Sequence, residues 1–263
     1  MAREIHIDSV DNVRRPIVAI GNDYPDGHLI KPHHHRRGQL LSGASGVIVL
    51  STAEGTWVMP PQRGMWIPPA TEHRVQIVGA VSVQSLYIEP QAIPGLPSRC
   101  QVVGISPFLR GLITEALNLP LEYELEGRAG ALMQLIHYEL QELPVLPLSL
   151  RYPAHGPLSA HCRRFVQKPS IHETIDQWAD ALGMSRRSFT RLFRRETAMS
   201  FVAWRQQACL LCALPRLTAG EAVTTIAIDL GYENPAAFTL MFRRAFGSPP
   251  LAYLGLRRTL TPP

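Results

Sequence analysis

The sequence predicts two domains: an all-β barrel with trailing helices over residues 1–150, and an all-α half built on a double helix-turn-helix over residues 151–263. Three observations carry this. Residues 17–103 are short Val- and Ile-rich runs cut by Gly and Pro, whereas residues 179–253 hold one helical motif twice. The charge also divides, with 11 basic and 14 acidic side chains in residues 1–150 against 15 and 7 in the rest, roughly −3 and +8. Length suits two domains, and 46% hydrophobic residues give each its own core.

In chain order, strands are expected at Gly46-Val-Ile-Val-Leu50, Thr56-Trp-Val-Met59 and Val81-Ser-Val-Gln-Ser-Leu-Tyr-Ile88. Turn residues at Gly55, Pro60-Pro61, Pro68-Pro69 and Gly79 separate them, the texture of a small sandwich or barrel. The pattern then turns helical. Residues 107–117 give a short amphipathic segment, and residues 128–143 a longer one striped by Leu132, Leu135, Ile136, Leu140 and Leu143. That stripe either packs on its own barrel or joins two copies into a homodimer. Pro144, Pro147, Pro153, Gly156 and Pro157 mark the connection between domains.

Within the β region, Gly27, His33, His35, Gln39 and Gly46 fall on the spacing Gly-x5-His-x-His-x3-Glu-x6-Gly, with Gln39 in the Glu position. Pro68-Pro-Ala-Thr-Glu-His73 then follows Pro-x-Gly-x-x-His, with Ala70 for Gly. The pair of motifs resembles a cupin, a β-barrel whose three histidines and one carboxylate hold a divalent metal. The resemblance implies His33, His35 and His73 as ligands, Gln39 as a weak fourth, and Ni, Zn, Fe or Cu as the metals imidazole suits. Strand alternation puts His33 and His35 on one face and turns His34 away. Histidines that bind an organic effector or one another are the alternative.

Cys100, Cys162, Cys209 and Cys212 are too few and scattered for a disulfide framework. Cys209 and Cys212 form Cys-x-x-Cys, yet inside an apolar helix without a second ligand pair they read as packed thiols rather than a zinc or redox site.

In the C-terminal half, Ala179, Leu182 and Gly183 recur as Ala227, Leu230 and Gly231. Phe189, Thr190, Phe193, Arg194 and Arg195 recur as Phe238, Thr239, Phe242, Arg243 and Arg244. Each copy is a short helix stopped by glycine, a turn, and a second amphipathic helix. Ser185 is a candidate N-cap, Phe189, Leu192 and Phe193 form the buried stripe, and Arg186, Arg187, Thr190, Arg191 and Arg194 lie opposite. A single copy fits a solvated arginine face equally well; the duplication favours DNA. The basic residues are nearly all arginine, suited to bidentate contacts with phosphate or guanine.

Residues 170–253 resemble the double helix-turn-helix domain of AraC/XylS regulators, most specifically through Ile226-Ala-Ile-Asp-Leu-Gly-Tyr-Glu-Asn-Pro-Ala-Ala-Phe238, Phe242-Arg-Arg-Ala-Phe-Gly247 and Pro250-Leu-Ala-Tyr253. The resemblance implies a transcription regulator that binds double-stranded promoter DNA and is controlled through its cupin-like domain by a small molecule or metal. It places Arg187, Thr190 and Arg191 at base edges and Arg186 and Arg194 nearer phosphates. In the second copy it assigns Asn234, Ala236, Ala237, Thr239, Leu240 and Arg243 to DNA. Leu240 stands where relatives carry arginine, so thymine methyls and backbone become the expected contacts there.

Two scaffold departures accompany this. Ala198 takes the position of Gly247, where a helix C-cap favours positive φ, and Pro215 is expected to end or kink the helix between the copies. A metal-dependent cupin enzyme fused to a DNA-binding module, or an architectural DNA binder, explains only part of the chain. No charged-then-apolar leader follows Met1 and no apolar run spans a bilayer, so a soluble cytoplasmic protein without a membrane partner is expected.

Overall fold

The computed structural model describes residues 10–254 and divides into two compact units. The first runs to Ser149 apart from Ala53–Thr56, which group with the second unit from Leu150 onward. Its elements are β1 (Ile17–Tyr24), β2 (Leu29–His33), β3 (Gly38–Gly43), β4 (Val47–Ser51), β5 (Gly55–Met59), β6 (Arg63–Ile67), β7 (His73–Val78), β8 (Val81–Ile88), β9 (Gln101–Gly104), α1 (Pro107–Ala116), α2 (Gly127–Gln141) and β10 (Val145–Leu146), with β11 (Ser149–Arg151) at the boundary. The strands form two sheets, ordered β1-β8-β3-β6-β9-β10 and β11-β5-β4-β7-β2. Both short strands β10 and β11 lie in the segment the prolines had marked as a plain connection.

Alternation along the six-stranded sheet separates two environments. Leu40, Leu86 and Ile88 pack with Trp66, Val103, Leu109, Ile113, Ile136 and Leu140 in a core closed by α1 and α2. The intervening Gln39, Leu41, Ser85 and Tyr87 line an inner cavity instead. With neither face left to solvent, β3 is buried at every position. Gly38 is required there, since a Cβ would meet the Trp66 ring at 2.4 Å.

The α2 stripe packs within its own domain. Leu132, Met133, Ile136 and Leu140 are buried and Leu143 packs against the same core, so among the stripe residues only Leu135 is left exposed, with Tyr138 near it. As a dimer surface the whole stripe is ruled out: its apolar area is already used against α1 and the sheet.

The second unit contains α3 (Gly156–Gln167), α4 (Ile175–Ala181), α5 (Arg186–Thr197), α6 (Phe201–Thr218), α7 (Val223–Asp229), α8 (Pro235–Phe246) and α9 (Pro250–Tyr253). Trp178 centres its first half, its ring meeting those of Phe165, Phe189, Phe193, Phe201 and Trp204 at centroid distances of 4.9–6.3 Å. Edge-on contacts of this kind add to the burial of large rings. The second half repeats the arrangement more thinly around Tyr232, Phe238, Phe242 and Tyr253. Side chains close the helix starts: Thr174 and Gln177 form a capping box on α4, and Ser185 accepts from the Ser188 N–H on α5.

Ala198 adopts φ 59° and Gly247 φ 82°, so both copies end their second helix in the left-handed conformation. Pro215, by contrast, does not stop α6, which continues to Thr218. The proline removes one N–H from the ladder, while buried Leu210, Leu211, Ala213, Leu214 and Leu217 hold both sides of it in the core. Burial pushes the Cys162 and Cys212 thiols up to about 12 and raises Cys209 as well, which disfavours the thiolate that redox or zinc chemistry needs.

Candidate functional site

Two sites follow from the folded chain, one in each unit. In the first, β2 and β7 run antiparallel with His33 opposite His73. His35 lies just past the end of β2, so alternation does not orient it; a bond between its Nδ1 and the Arg37 carbonyl, 2.6 Å, does. His33 and His73 are fixed likewise, Nδ1 lying 2.9 Å from Lys31 O and 2.8 Å from Thr71 O. A carbonyl only accepts, so each Nδ1 carries the proton and each Nε2 presents a lone pair. The three rings offer nitrogens within 4.8 Å of one another, and His34 is exposed.

Gln39 completes the group, its Oε1 3.0 Å from His35 Nε2 and its Nε2 donating to Ser85 Oγ at 2.9 Å and Tyr87 Oη at 3.1 Å. In that orientation two lone pairs face each other. A cation between them relieves the repulsion; without one, turning the amide over lets it donate to His35 and accept from the two hydroxyls. Burial lowers His35 and brings His73 to about 4, keeping both rings neutral as metal ligation requires. Ala70, in the glycine position of the second motif, has φ 57°, and its N–H donates to His35 O at 2.9 Å. The cavity is about 30 Å³, room for an ion or one or two waters.

In the second unit, α5 buries Phe189 and Phe193 and exposes Arg187, Thr190, Arg191 and Arg194. Among the described residues no carboxylate pairs with Arg187, Arg191 or Arg194. Arg186, also exposed, makes an ion pair with Asp176 of α4, Nη1 to Oδ2 2.8 Å, which links the two helices of the first motif. The Thr190 hydroxyl donates to Arg186 O at 2.8 Å, leaving its oxygen open as an acceptor. On α8, Ala236, Leu240 and Arg243 are exposed and Ala237 and Thr239 half-buried. Asn234, expected at DNA, caps that helix, Oδ1 accepting from Ala237 N–H at 2.9 Å, a role the sequence reading missed although Asn directly before Pro235 is a pattern for it.

Family profiles match both units: "AraC-like ligand binding domain" over residues 16–116 and "Helix-turn-helix domain" over residues 178–255. The chain is 34% identical over 230 residues to the HTH-type transcriptional regulator NimR of Escherichia coli, covering 88% of this chain and 84% of NimR. The chain belongs to the AraC/XylS family. The regulatory protein SoxS of Salmonella typhimurium is 35% identical to it over 80 residues, 30% of this chain and 75% of SoxS. Among solved structures, ToxT of Vibrio cholerae aligns over 93% of this chain and all of its own at 8% identity and a TM-score of 0.39.

As an AraC/XylS protein, the chain is a DNA-binding transcription regulator with an N-terminal ligand-binding domain, a regulator rather than an enzyme. The family assignment leaves the cupin-enzyme alternative without support. Among the described residues no helix is long and apolar enough to cross a membrane.

Proposed function

We propose that promoter binding by this regulator is controlled by a divalent transition metal, Ni, Zn, Fe or Cu, held by His33, His35 and His73 beside Gln39. The observation that carries the reading is the set of three Nδ1 bonds to backbone carbonyls, which commits each ring to one tautomer with Nε2 free to ligate, on rings whose nitrogens lie within 4.8 Å of one another. The donors fit the group. Imidazole and a carboxamide oxygen suit borderline metals, and the absence of a carboxylate leaves the ion's charge uncompensated, which disfavours hard cations and lowers affinity.

The cavity's size speaks against an organic effector among these histidines, since sites for such molecules run to roughly 300–1,000 Å³. Metal analysis of protein purified without a histidine tag, beside a His33→Ala, His73→Ala variant, tests the site. We expect metal in the parent alone, with chelation changing its promoter affinity; equal metal content in both proteins would sink the reading.

For DNA, Arg187, Thr190 and Arg191 are the base-reading set and Arg194 a phosphate contact, supported by exposure without competing carboxylates. The second helix contributes contacts through Ala236, Ala237, Thr239, Leu240 and Arg243, of which only Thr239 and Arg243 bring side-chain donors. Arg186 and Asn234 serve the scaffold of the two motifs. A homodimer is the assembly we propose. Exposed Leu135 and Tyr138 on α2, 44% and 58% accessible, are its candidate contacts.

A further inference from the structure

Arg216, in the last turn of α6, reaches across to α7 and to the loop before it. Its Nε donates to Glu221 Oε2 at 2.7 Å, and its Nη2 is bonded to both Glu221 Oε1 and Asp229 Oδ2. Glu221 lies two residues before α7 begins and Asp229 is the last residue of that helix, so one guanidinium holds α7 from both ends. We propose, resting on the reading of α5 and α8 as the two DNA-facing helices, that Arg216 is a positioning residue for DNA binding. It fixes α7, and through it α8, against α6, and so sets the spacing at which the second helix meets the duplex relative to the first.

The junction between the two copies needs such a tie. Thr174, Ser185 and Asn234 cap the starts of α4, α5 and α8 with their side chains, whereas Ala222 at the start of α7 offers none. Pro215 removes an N–H from the end of α6, and Gly220, at φ 83°, turns the chain between the helices. Asp229 is unfavourable on helix grounds, since an anion at a helix C-terminus opposes the helix dipole, and Arg216 supplies the charge that offsets it. The first copy has Ala181 at the corresponding position, and its ion pair, Arg186 to Asp176, lies within the motif rather than between motif and connecting helix.

Partly exposed ion pairs fix little unless they are bidentate or networked, and this one is both: a fork onto Glu221 with a second carboxylate on the same nitrogen. A guanidinium gripped in this way has one orientation. From α7 the constraint passes to α8 through Tyr232 in the turn, whose ring meets Phe238 at 5.4 Å. Placement matters most for α8, because its exposed Ala236 and Leu240 bring no side-chain donors. Apolar contact is forfeited in large part over a gap of roughly 0.5–1 Å, a distance that the long arginines of α5 can absorb.

The test uses the duplex that the full-length parent enriches from a random-sequence library, with copies in which one or two base pairs are inserted or removed between the two segments protected in footprinting. Each base pair turns the duplex by about a tenth of a helical turn, so the parent should bind every respaced copy about tenfold or more weakly, and Arg216→Met should reduce that preference to below about threefold. Glu221→Gln combined with Asp229→Asn retains Arg216 and should relax the preference equally, which loss of a direct Arg216 phosphate contact would not explain. Circular dichroism and thermal midpoints establish that each variant is folded, and the double variant decides if Arg216→Met is not. Preference unchanged in the double variant overturns the proposal. An Arg216→Met loss of equal size on every spacing also overturns it, being the mark of a phosphate contact or of a general loss of stability. A parent that protects a single segment overturns the two-helix reading and this proposal together, whereas two protected segments with unrelaxed preference overturn this proposal alone.

Discussion

Ala70 and Ala198 stand where their motifs favour glycine, and both take positive φ, 57° and 59°. Left-handed backbone crowds a Cβ against its own chain, so each alanine costs about 1 kcal/mol relative to glycine. Ala198→Gly should therefore raise stability by up to about 1 kcal/mol in urea unfolding, with DNA affinity unchanged; a loss of stability would show that the C-cap tolerates the methyl without strain. A different economy governs Arg37, whose side chain is fully buried. It donates to Arg15 O at 2.9 Å and Val13 O at 2.5 Å and pairs with Glu89 at 2.8 Å, while Arg36 grips the same carboxylate from outside. The hydrogen bond from Arg36 holds the Glu89 carboxyl below its usual range. A depressed carboxyl pKa stabilises the fold above the unfolded value of about 4.5 and loses that contribution as pH falls through the folded value. Glu89→Gln should cost about 2 kcal/mol at pH 7 by leaving Arg37 uncompensated, and the difference from the parent should shrink below pH 4.5. A pH-independent difference would contradict that assignment.

At the scale of elements, α5 and α8 have the same scaffold and opposite surfaces. Both bury two phenylalanines a turn apart, but α5 exposes Arg187, Arg191 and Arg194 where α8 offers Ala236, Leu240 and Arg243. Arg187→Ala or Arg191→Ala should weaken the specific site by about 1–3 kcal/mol and relax its sequence preference. Arg194→Ala should weaken all sequences alike and lower the salt slope by about 1. Leu240→Ala should change little, because it removes only apolar contact. Anisotropy titrations over a salt series distinguish the three, and a Leu240→Ala loss exceeding that of Arg187→Ala, with the fold intact, would reverse the assignment. The behaviour of α6 belongs here too. Pro215 was expected to end or kink it; the helix does not end there, because packing on both sides of Pro215 outweighs one missing hydrogen bond.

For the whole molecule, the basic C-terminal half and mildly acidic N-terminal half match the division into a DNA-binding unit and a ligand-binding unit. Most of the apolar stripe of α2 is buried inside its domain, so a dimer has to use what remains exposed. Sedimentation of the full chain should give a dimer at micromolar concentration, and Leu135→Glu with Tyr138→Glu should convert it to monomer while keeping its thermal midpoint. A parent that is monomeric at tens of micromolar would remove the homodimer from the account.

Sequence alone determined what depends on short-range pattern. The duplicated Ala-Leu-Gly and Phe-Thr-Phe-Arg motif, the N-cap at Ser185 and the β texture of residues 17–103 are each read within a few residues, where backbone geometry fixes which side chains share a face, whereas His33, His35 and His73 were legible only as motif spacings and were oriented by the folded backbone. Tertiary structure decided which partner each face meets. It sent the α2 stripe inward, paired Arg186 with Asp176, carried α6 through Pro215, and made strands of residues 145–146 and 149–151. It also brought Arg216 to Glu221 and Asp229, a tie that no motif announces. Amphipathic periodicity says that a face will be buried but not against what, because the partner lies far away in the chain and is selected only when the whole core closes.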